Sequence, residues 1–218
     1  MNKVSAYKAI YAILLPSTVL VIMLTSTTIC YSQSNMVWFN PNSDTSTDSE
    51  MTPADCDLMS HGMDDELGVM VIDFEAKPLL MHTQPQVKKW MKDKYLLECT
   101  SNIYKADETT FLLLHLKINS ENAKHAYGKL EKGSQLKITF ENGEHIYVDN
   151  IERDRGTAQR SKGITVYEGI YPLDGFDIKE LGKNSISTFG IVWEEGYQEY
   201  EVQNSDLIRN QVNCLKKL

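Results

Sequence analysis

An Asn-Gly pair between two alternating segments constrains the fold of this chain more than any other local feature. The apolar residues on its two sides are Leu136, Ile138 and Phe140, then Ile146 and Val148. Period-two alternation around Asn-Gly predicts a β-hairpin over residues 135–151. A two-residue loop would put the apolar residues of the two strands on opposite faces, because a one-residue slip inverts every side chain. We therefore predict a three-residue loop in which Gly143 is a left-handed bulge residue.

The same register determines which side chains point away from the core. They are Lys137, Thr139, His145 and Tyr147. An exposed aromatic ring can stack on a sugar, so His145 and Tyr147 are candidate ligand-binding residues. Trp193 and Tyr197 around the last predicted turn are further candidates, although Trp193 continues an apolar strand face and fits a core position better.

Short apolar runs separated by turn residues predict an all-β domain over residues 67–218. Besides the hairpin, the predicted strands are 68–74, 95–104, 109–118, 164–171, 185–193 and 198–203. Residues 109–118 are apolar on both faces, which is typical of a central strand covered on each side. Ser205 is the predicted cap of an amphipathic helix over residues 205–217. We expect one antiparallel β-sandwich or partly closed barrel with this C-terminal helix, and a pleckstrin-homology-like roll is the alternative.

The charge balance argues against nucleic acid and against a polybasic membrane-surface binder. The 218 residues include 22 Lys and Arg against 30 Asp and Glu, a formal net charge of -8. One loop departs from this pattern, because it holds Arg153, Arg155, Arg160 and Lys162 against Asp154. The loop is a candidate site for a carboxylate or a sulfated sugar. An ordinary solvated hairpin loop explains its composition equally well.

The N-terminus is typical of an export signal. Lys3 and Lys8 precede an apolar run, and the small residues Cys30 and Ser32 precede a predicted cleavage site. Residues 1–32 would then be a signal peptide, and the polar residues 33–66 a flexible linker. Two alternatives remain: residues 9–29 as an uncleaved membrane anchor, and lipidation at Cys30. We expect a periplasmic or extracellular protein that touches a membrane only if this segment is retained.

Three cysteines, Cys56, Cys99 and Cys214, remain after the predicted cleavage. An odd number in an oxidising compartment indicates one disulfide and one free thiol. Cys99 and Cys214 lie in segments predicted to be ordered, whereas Cys56 lies beside the linker. The sequence therefore favours a disulfide between Cys99 and Cys214.

One short segment has the form of a soft-metal motif. Met59, His61 and Met63 follow the pattern MxHxM, and Cys56 is near enough to join them. Thioether sulfur is a soft donor suited to Cu(I), and imidazole accepts either oxidation state of copper. Copper binding is the hypothesis that this motif supports. The structural alternative is that the methionines dock onto the folded body.

Catalytic signatures are absent from the sequence. There is no GxGxxG, GxxxxGK[ST], HExxH or GxSxG motif, and apart from the copper hypothesis no cofactor is indicated. A glycan-acting hydrolase would need only two carboxylates close in space, which sequence spacing does not reveal. The sequence therefore favours an exported binding or envelope-associated module, with such a hydrolase as the alternative. A glycan or another envelope protein is the expected partner.

Three segments carry a resemblance at the level of general pattern: "GSQLKITFENGEHIYV", "YEGIYPLDGFDIKELGKNSISTFGI" and "DLIRNQVNCLKKL". Together with the export signal and polar tether, they resemble small exported β-rich proteins of unknown function from Bacteroidota. The resemblance covers residues 95–215 approximately. It implies a Gram-negative envelope or extracellular setting and implies nothing about chemistry.

Overall fold

The computed structural model describes residues 56–65, 68–92 and 94–218. Their strands are β1 (Leu58–Asp64), β2 (Val69–Phe74), β3 (Lys77–His82), β4 (Leu97–Ala106), β5 (Thr109–Ile118), β6 (Gln135–Phe140), β7 (His145–Asp149), β8 (Thr157–Gln159), β9 (Ile164–Leu173), β10 (Ile186–Trp193) and β11 (Gly196–Glu201). Their helices are α1 (Pro85–Met91), α2 (Ala123–Tyr127), α3 (Gly175–Leu181) and α4 (Leu207–Leu215), with a 3-10 turn at Arg160–Lys162. The predicted signal peptide 1–32, the alternative anchor 9–29, Cys30 and linker residues 33–55 lie outside the described residues.

Two antiparallel sheets enclose one apolar core. The larger sheet has the order β1-β2-β4-β5-β9-β8, with β3 also paired to β4, and the smaller has the order β11-β10-β6-β7. Side chains from the inner faces of both sheets and from α2, α3 and α4 form the core. The predicted all-β sandwich with a C-terminal helix is confirmed. The described residues form eleven strands in two sheets and no closed barrel, which also differs from the alternative of a seven-stranded roll.

Strand β5 lies at the centre of the larger sheet, as predicted. All ten of its residues pair with β4, and nine pair with β9. Leu112, Leu114 and Leu116 point into the core between the sheets, and Phe111 and Leu113 on the opposite face are also buried. Burial on both faces explains why this strand is a nearly continuous apolar run.

The β6–β7 hairpin has the predicted three-residue loop. Leu136 is opposite Val148 and Ile138 is opposite Ile146, so these apolar residues share the inner face. The amide of Phe140 donates to the carbonyl of Glu144 at 2.9 Å, which closes the loop. Gly143 has φ +85°, a conformation that L side chains rarely adopt.

A buried glutamine completes the larger sheet where strand pairing is interrupted. β2 pairs with β4 up to Tyr104, and β3 pairs with β4 up to Ser101, so the backbone between them needs another partner. Gln211 of α4 supplies it. Its amide oxygen accepts from the Ile103 N–H at 2.9 Å, and its amide nitrogen donates to the Glu75 carbonyl at 3.1 Å. Hydrogen bonding to the backbone thus fixes α4 against the sheet.

Two predicted boundaries were wrong. The linker does not extend to residue 66, because Leu58–Asp64 form β1 and pair with β2. The C-terminal helix has Asp206 rather than Ser205 at its N-cap, and Asp206 makes no side-chain capping bond. Its carboxylate instead accepts the Ser185 hydroxyl at 2.7 Å and pairs with Arg209. Within the described ranges, no helix has the length and apolar character needed to cross a bilayer.

The predicted disulfide was also wrong, because Cys214 is bonded to Cys56 and not to Cys99. The Cys56 and Cys214 Cα atoms are 6.0 Å apart, since α4 ends beside the residue that leads into β1. Cys99 lies in the middle of the core on β4, opposite Leu116 of β5. It is a free thiol, and burial raises its pKa to about 12.

We expect non-reducing peptide mapping to recover a Cys56–Cys214 crosslink. Because this bond closes a loop with a sequence separation of 158, replacing both cysteines by serine should lower the free energy of unfolding. The expected loss is about 3–5 kcal/mol in denaturant titration. Cys99 should stay unmodified by iodoacetamide at neutral pH until the protein unfolds, because the thiolate is the reactive form. A crosslinked peptide containing Cys99, or three free thiols, would contradict this assignment.

Candidate functional site

The outer face of the smaller sheet carries a row of four residues, one on each strand. They are Tyr147 on β7, Lys137 on β6, Gly190 on β10 and Glu199 on β11, each directly opposite the next. Their neighbours in sequence point inward, as the alternation of a half-buried strand requires, and all are buried except Gln198, which is half-buried. The prediction that Lys137, Thr139, His145 and Tyr147 share the outer face is therefore confirmed.

Tyr197 extends from the start of β11 across the backbone of β10. A Cβ atom built on Gly190 would lie 2.1 Å from the Tyr197 hydroxyl oxygen. Only glycine leaves room for the ring here, and the ring in turn covers backbone that glycine would leave bare. The Tyr197 hydroxyl donates to the Glu199 carboxylate at 2.6 Å, which fixes the direction of the ring.

These residues form a shallow tyrosine groove of about 380 Å³. It is lined by Gln135, Lys137, Tyr147, Gly190, Val192, Tyr197 and Glu199. Tyr147 is 52% exposed and Tyr197 is 50% exposed. Two accessible aromatic rings beside an ammonium, a carboxylate and an amide offer both stacking surfaces and hydrogen-bonding groups.

Exposed aromatic side chains continue beyond the groove. The His145 ring meets the Tyr147 ring edge-on, with centroids 5.2 Å apart. His145 also lines a neighbouring open cavity of about 530 Å³ with Phe176, which is exposed at the start of α3. We call Phe176, His145, Tyr147 and Tyr197 the aromatic track. Trp193, by contrast, is buried against Tyr127 and Tyr167, as its strand position predicts.

The arginine loop does not join the tyrosine groove. Arg153 pairs with Glu131, which neutralises part of the predicted positive charge. Arg155 and Arg160 are exposed and make no ion pair with other described residues. The segment is more ordered than a solvated hairpin loop, because Thr157–Gln159 pair with β9 and Arg160–Lys162 form a 3-10 turn. Its arginines line none of the described cavities.

Carboxylates gather in the loop after β7 and, separately, in the cavity beside His145. In the loop after β7, burial raises the Asp154 pKa, and burial with the charges of Asp154 and Glu168 raises the Glu152 pKa. Both Asp154 oxygens accept backbone N–H groups, from Gly156 at 2.7 Å and Glu168 at 2.6 Å, so this carboxyl holds the loop to β9. Glu144 and Glu180 line the cavity beside His145, where each accepts an asparagine amide.

The predicted metal residues lie on β1, at the edge of the larger sheet. His61 and Met63 keep to the alternation of the strand, but a bulge at Met59 interrupts it. Cys56 is taken up by the disulfide. Across the described ranges, no group of three or more His, Cys, Asp or Glu side chains is placed to hold a metal ion.

No protein-family model, curated protein or solved structure matches this chain significantly. His145, Tyr147 and Tyr197 were predicted from the sequence, whereas Gly190 and Phe176 were not. A glycine at an outward strand position beside an aromatic-containing turn was the available signal for Gly190.

The Tyr197 hydroxyl offers a direct test of the groove. Desolvation, followed by its hydrogen bond to Glu199, raises the Tyr197 pKa to about 12. Replacing Glu199 by glutamine removes the negative charge that opposes tyrosinate formation, so the Tyr197 pKa should fall toward its ordinary value. Tyrosine ring-carbon NMR during a pH titration measures this, with Glu201→Gln on the same strand as the matched control. An unchanged Tyr197 pKa in Glu199→Gln would contradict the hydrogen bond.

Proposed function

We propose that this protein is an exported binding module that recognises a glycan through the tyrosine groove. The observation that carries the proposal is the pair of half-exposed rings, Tyr147 and Tyr197, lining one groove across a glycine floor. Large aromatic side chains left accessible on a folded domain, with polar groups beside them, are typical of ligand-binding surfaces.

The chemistry of the groove favours a carbohydrate. The apolar faces of sugar rings stack on tyrosine, and sugar hydroxyls both donate and accept hydrogen bonds. Lys137 donates hydrogen bonds, Glu199 accepts them and Gln135 does both, so the polar lining can pair with a sugar hydroxyl as donor or as acceptor. This combination of flat apolar and mixed polar contacts fits a sugar better than a purely anionic or purely apolar ligand.

The spacing of the rings favours more than one sugar unit. Tyr197 lies over β10, and Tyr147 lies two strands away on β7. Two strand spacings are about 10 Å, which exceeds the width of one sugar ring. The aromatic track continues past Tyr147 to His145 and Phe176. An oligosaccharide lying along the track is therefore the ligand that we propose.

The proposed setting is the periplasm or exterior of a Gram-negative cell. The charged and apolar pattern of residues 1–32 supports export, and the Cys56–Cys214 disulfide fits an oxidising compartment. The resemblance to exported Bacteroidota proteins supports the same setting. A glycan of the cell envelope, or an envelope protein that carries one, is the corresponding partner.

A glycan-acting hydrolase is the second candidate, and Glu144 with Glu180 in one cavity is the observation that favours it. A glycosidase needs one carboxyl with a raised pKa beside the scissile bond. The raised pKa values of Glu152 and Asp154 occur in the loop after β7, outside the lining of that cavity. Binding without cleavage is therefore the function that the geometry supports better.

The test is titration with soluble oligosaccharides of increasing length, in neutral, amino-sugar and sulfated series, followed by amide NMR. We expect ligand-induced shifts at Gly190 and Tyr147. Tyr147→Ala and Tyr197→Ala should each weaken binding about two- to tenfold, because each removes one stacking surface. Tyr95→Ala is the matched control, since Tyr95 is exposed but lies before β4, away from the groove.

Charge reversal at Arg155 and Arg160 should leave binding unchanged. If these charge reversals abolished oligosaccharide binding while Tyr147→Ala and Tyr197→Ala retained it, the binding site would be the arginine loop. Binding of no oligosaccharide in the three series would overturn the proposal. Release of shorter sugars that stops in Glu144→Gln or Glu180→Gln would identify a hydrolase.

A further inference from the structure

The β1–β2 hairpin presents three soft metal donors in one place. His61 is opposite Ile72, and Met63 is directly opposite Met70 of β2. Directly opposite residues lie on the same face of an antiparallel pair, and so do residues two apart along a strand. His61, Met63 and Met70 therefore share one face. Met70 is separated from the MxHxM motif by the hairpin turn, so the motif alone does not include it.

A β-bulge interrupts the ladder at Met59. Leu58 pairs with Phe74 and Ser60 pairs with Asp73, so Met59 is the extra residue between two ladder positions. Met59 is four residues from Met63, which is about 13 Å along a strand. Met70 lies directly opposite Met63 and is therefore the nearer thioether.

The spacing of the three residues suits a single metal ion. Opposite residues in an antiparallel pair have Cβ atoms about 4.5–5.5 Å apart, and diagonal neighbours are about 7–8 Å apart. Methionine is long and has three rotatable side-chain bonds, so its sulfur can adjust over several ångströms. Two thioethers and one imidazole on this patch can converge on one point above the hairpin.

The three side chains are accessible from solvent. Met63 is 62% exposed, Met70 is 47% exposed and His61 is also exposed. Met63 leaves more than half of its surface in water and Met70 nearly half, so much of their apolar surface stays hydrated and does not stabilise the hairpin. Their position next to a histidine is better explained by a role at the surface.

We propose that His61, Met63 and Met70 form a surface site for Cu(I). Thioether ligands select a soft monovalent ion, and imidazole completes a three-coordinate set. Zinc prefers thiolate, imidazole and carboxylate donors, and the described chain gathers no three of these at one place. This site lies on the larger sheet and is separate from the tyrosine groove, so it does not depend on the proposed glycan function.

The test is anaerobic competition for Cu(I) against a chromogenic chelator, with ascorbate as reductant. The full-length protein should be used in a background in which Cys30 and Cys99 are alanine, because a free thiol would compete for the same ion. We expect one Cu(I) per chain. Met63→Ala, Met70→Ala and His61→Ala should each weaken binding about tenfold or more, because each removes one of three ligands.

Met59→Ala is the matched control, since it removes an exposed methionine from the same hairpin. It should change the affinity less than about twofold, a difference of under 1 kcal/mol. Ag(I), a redox-inert soft cation, provides a second measurement that needs no substitution. Adding Ag(I) should shift the methyl NMR signals of Met63 and Met70 and leave that of Met59 in place.

Two results would overturn the proposal. If Met59→Ala and Met63→Ala lowered the Cu(I) affinity equally and Met70→Ala did not lower it, the linear MxHxM motif would bind Cu(I) without the hairpin. A Cu(I) affinity in the thiol-free background no higher than that of the variant lacking His61, Met63 and Met70 would mean that no such site exists. Neither result would bear on the tyrosine groove.

Discussion

The register of the β6–β7 hairpin is the constraint on which the smaller sheet and the candidate site depend. Its loop sets Ile138 opposite Ile146 inside the core and, one position further from the loop on each strand, Lys137 opposite Tyr147 outside. A slip of one residue in either strand would turn the inward side chains of that strand outward. Exposing each large apolar side chain would cost about 1.5–3 kcal/mol, and a few such losses equal the stability of a whole domain. The core therefore holds Tyr147 on the surface.

Local features of the fold could be predicted from the sequence, and long-range pairings could not. The Asn142-Gly143 loop and the burial of Trp193 follow from residues that lie close together in the chain. Strand β1 escaped prediction because edge exposure leaves it no apolar alternation. The Cys56–Cys214 bond escaped because it depends on where α4 ends relative to β1, and no short segment determines that.

The candidate site also combines local features, which the sequence predicts, with long-range pairings, which it does not. Alternation around Gly143 was enough to place His145 and Tyr147 on the outer face. Tyr197 and Gly190 belong to the local β10–β11 hairpin, but placing them beside Lys137 and Tyr147 needed the pairing of β10 with β6, which joins segments far apart in sequence. In the arginine loop, a long-range contact weakened a feature that the local sequence predicted. Its composition indicated an open positive surface, but Glu131 from another segment pairs with Arg153 and removes part of that charge.

The Cys56–Cys214 disulfide and the proposed copper site of His61, Met63 and Met70 are chemically compatible in one compartment. A copper site built on thiolates would compete with oxidation wherever Cys56 and Cys214 form a stable bond. Thiol–disulfide exchange acts on thiolates and leaves thioether and imidazole groups untouched, so Met63, Met70 and His61 keep their donor atoms when the cysteines pair. The same bond also fixes the chain two residues before β1, through α4 and the core. Oxidation thus holds in place the strand that carries His61 and Met63, and leaves their donor atoms unchanged.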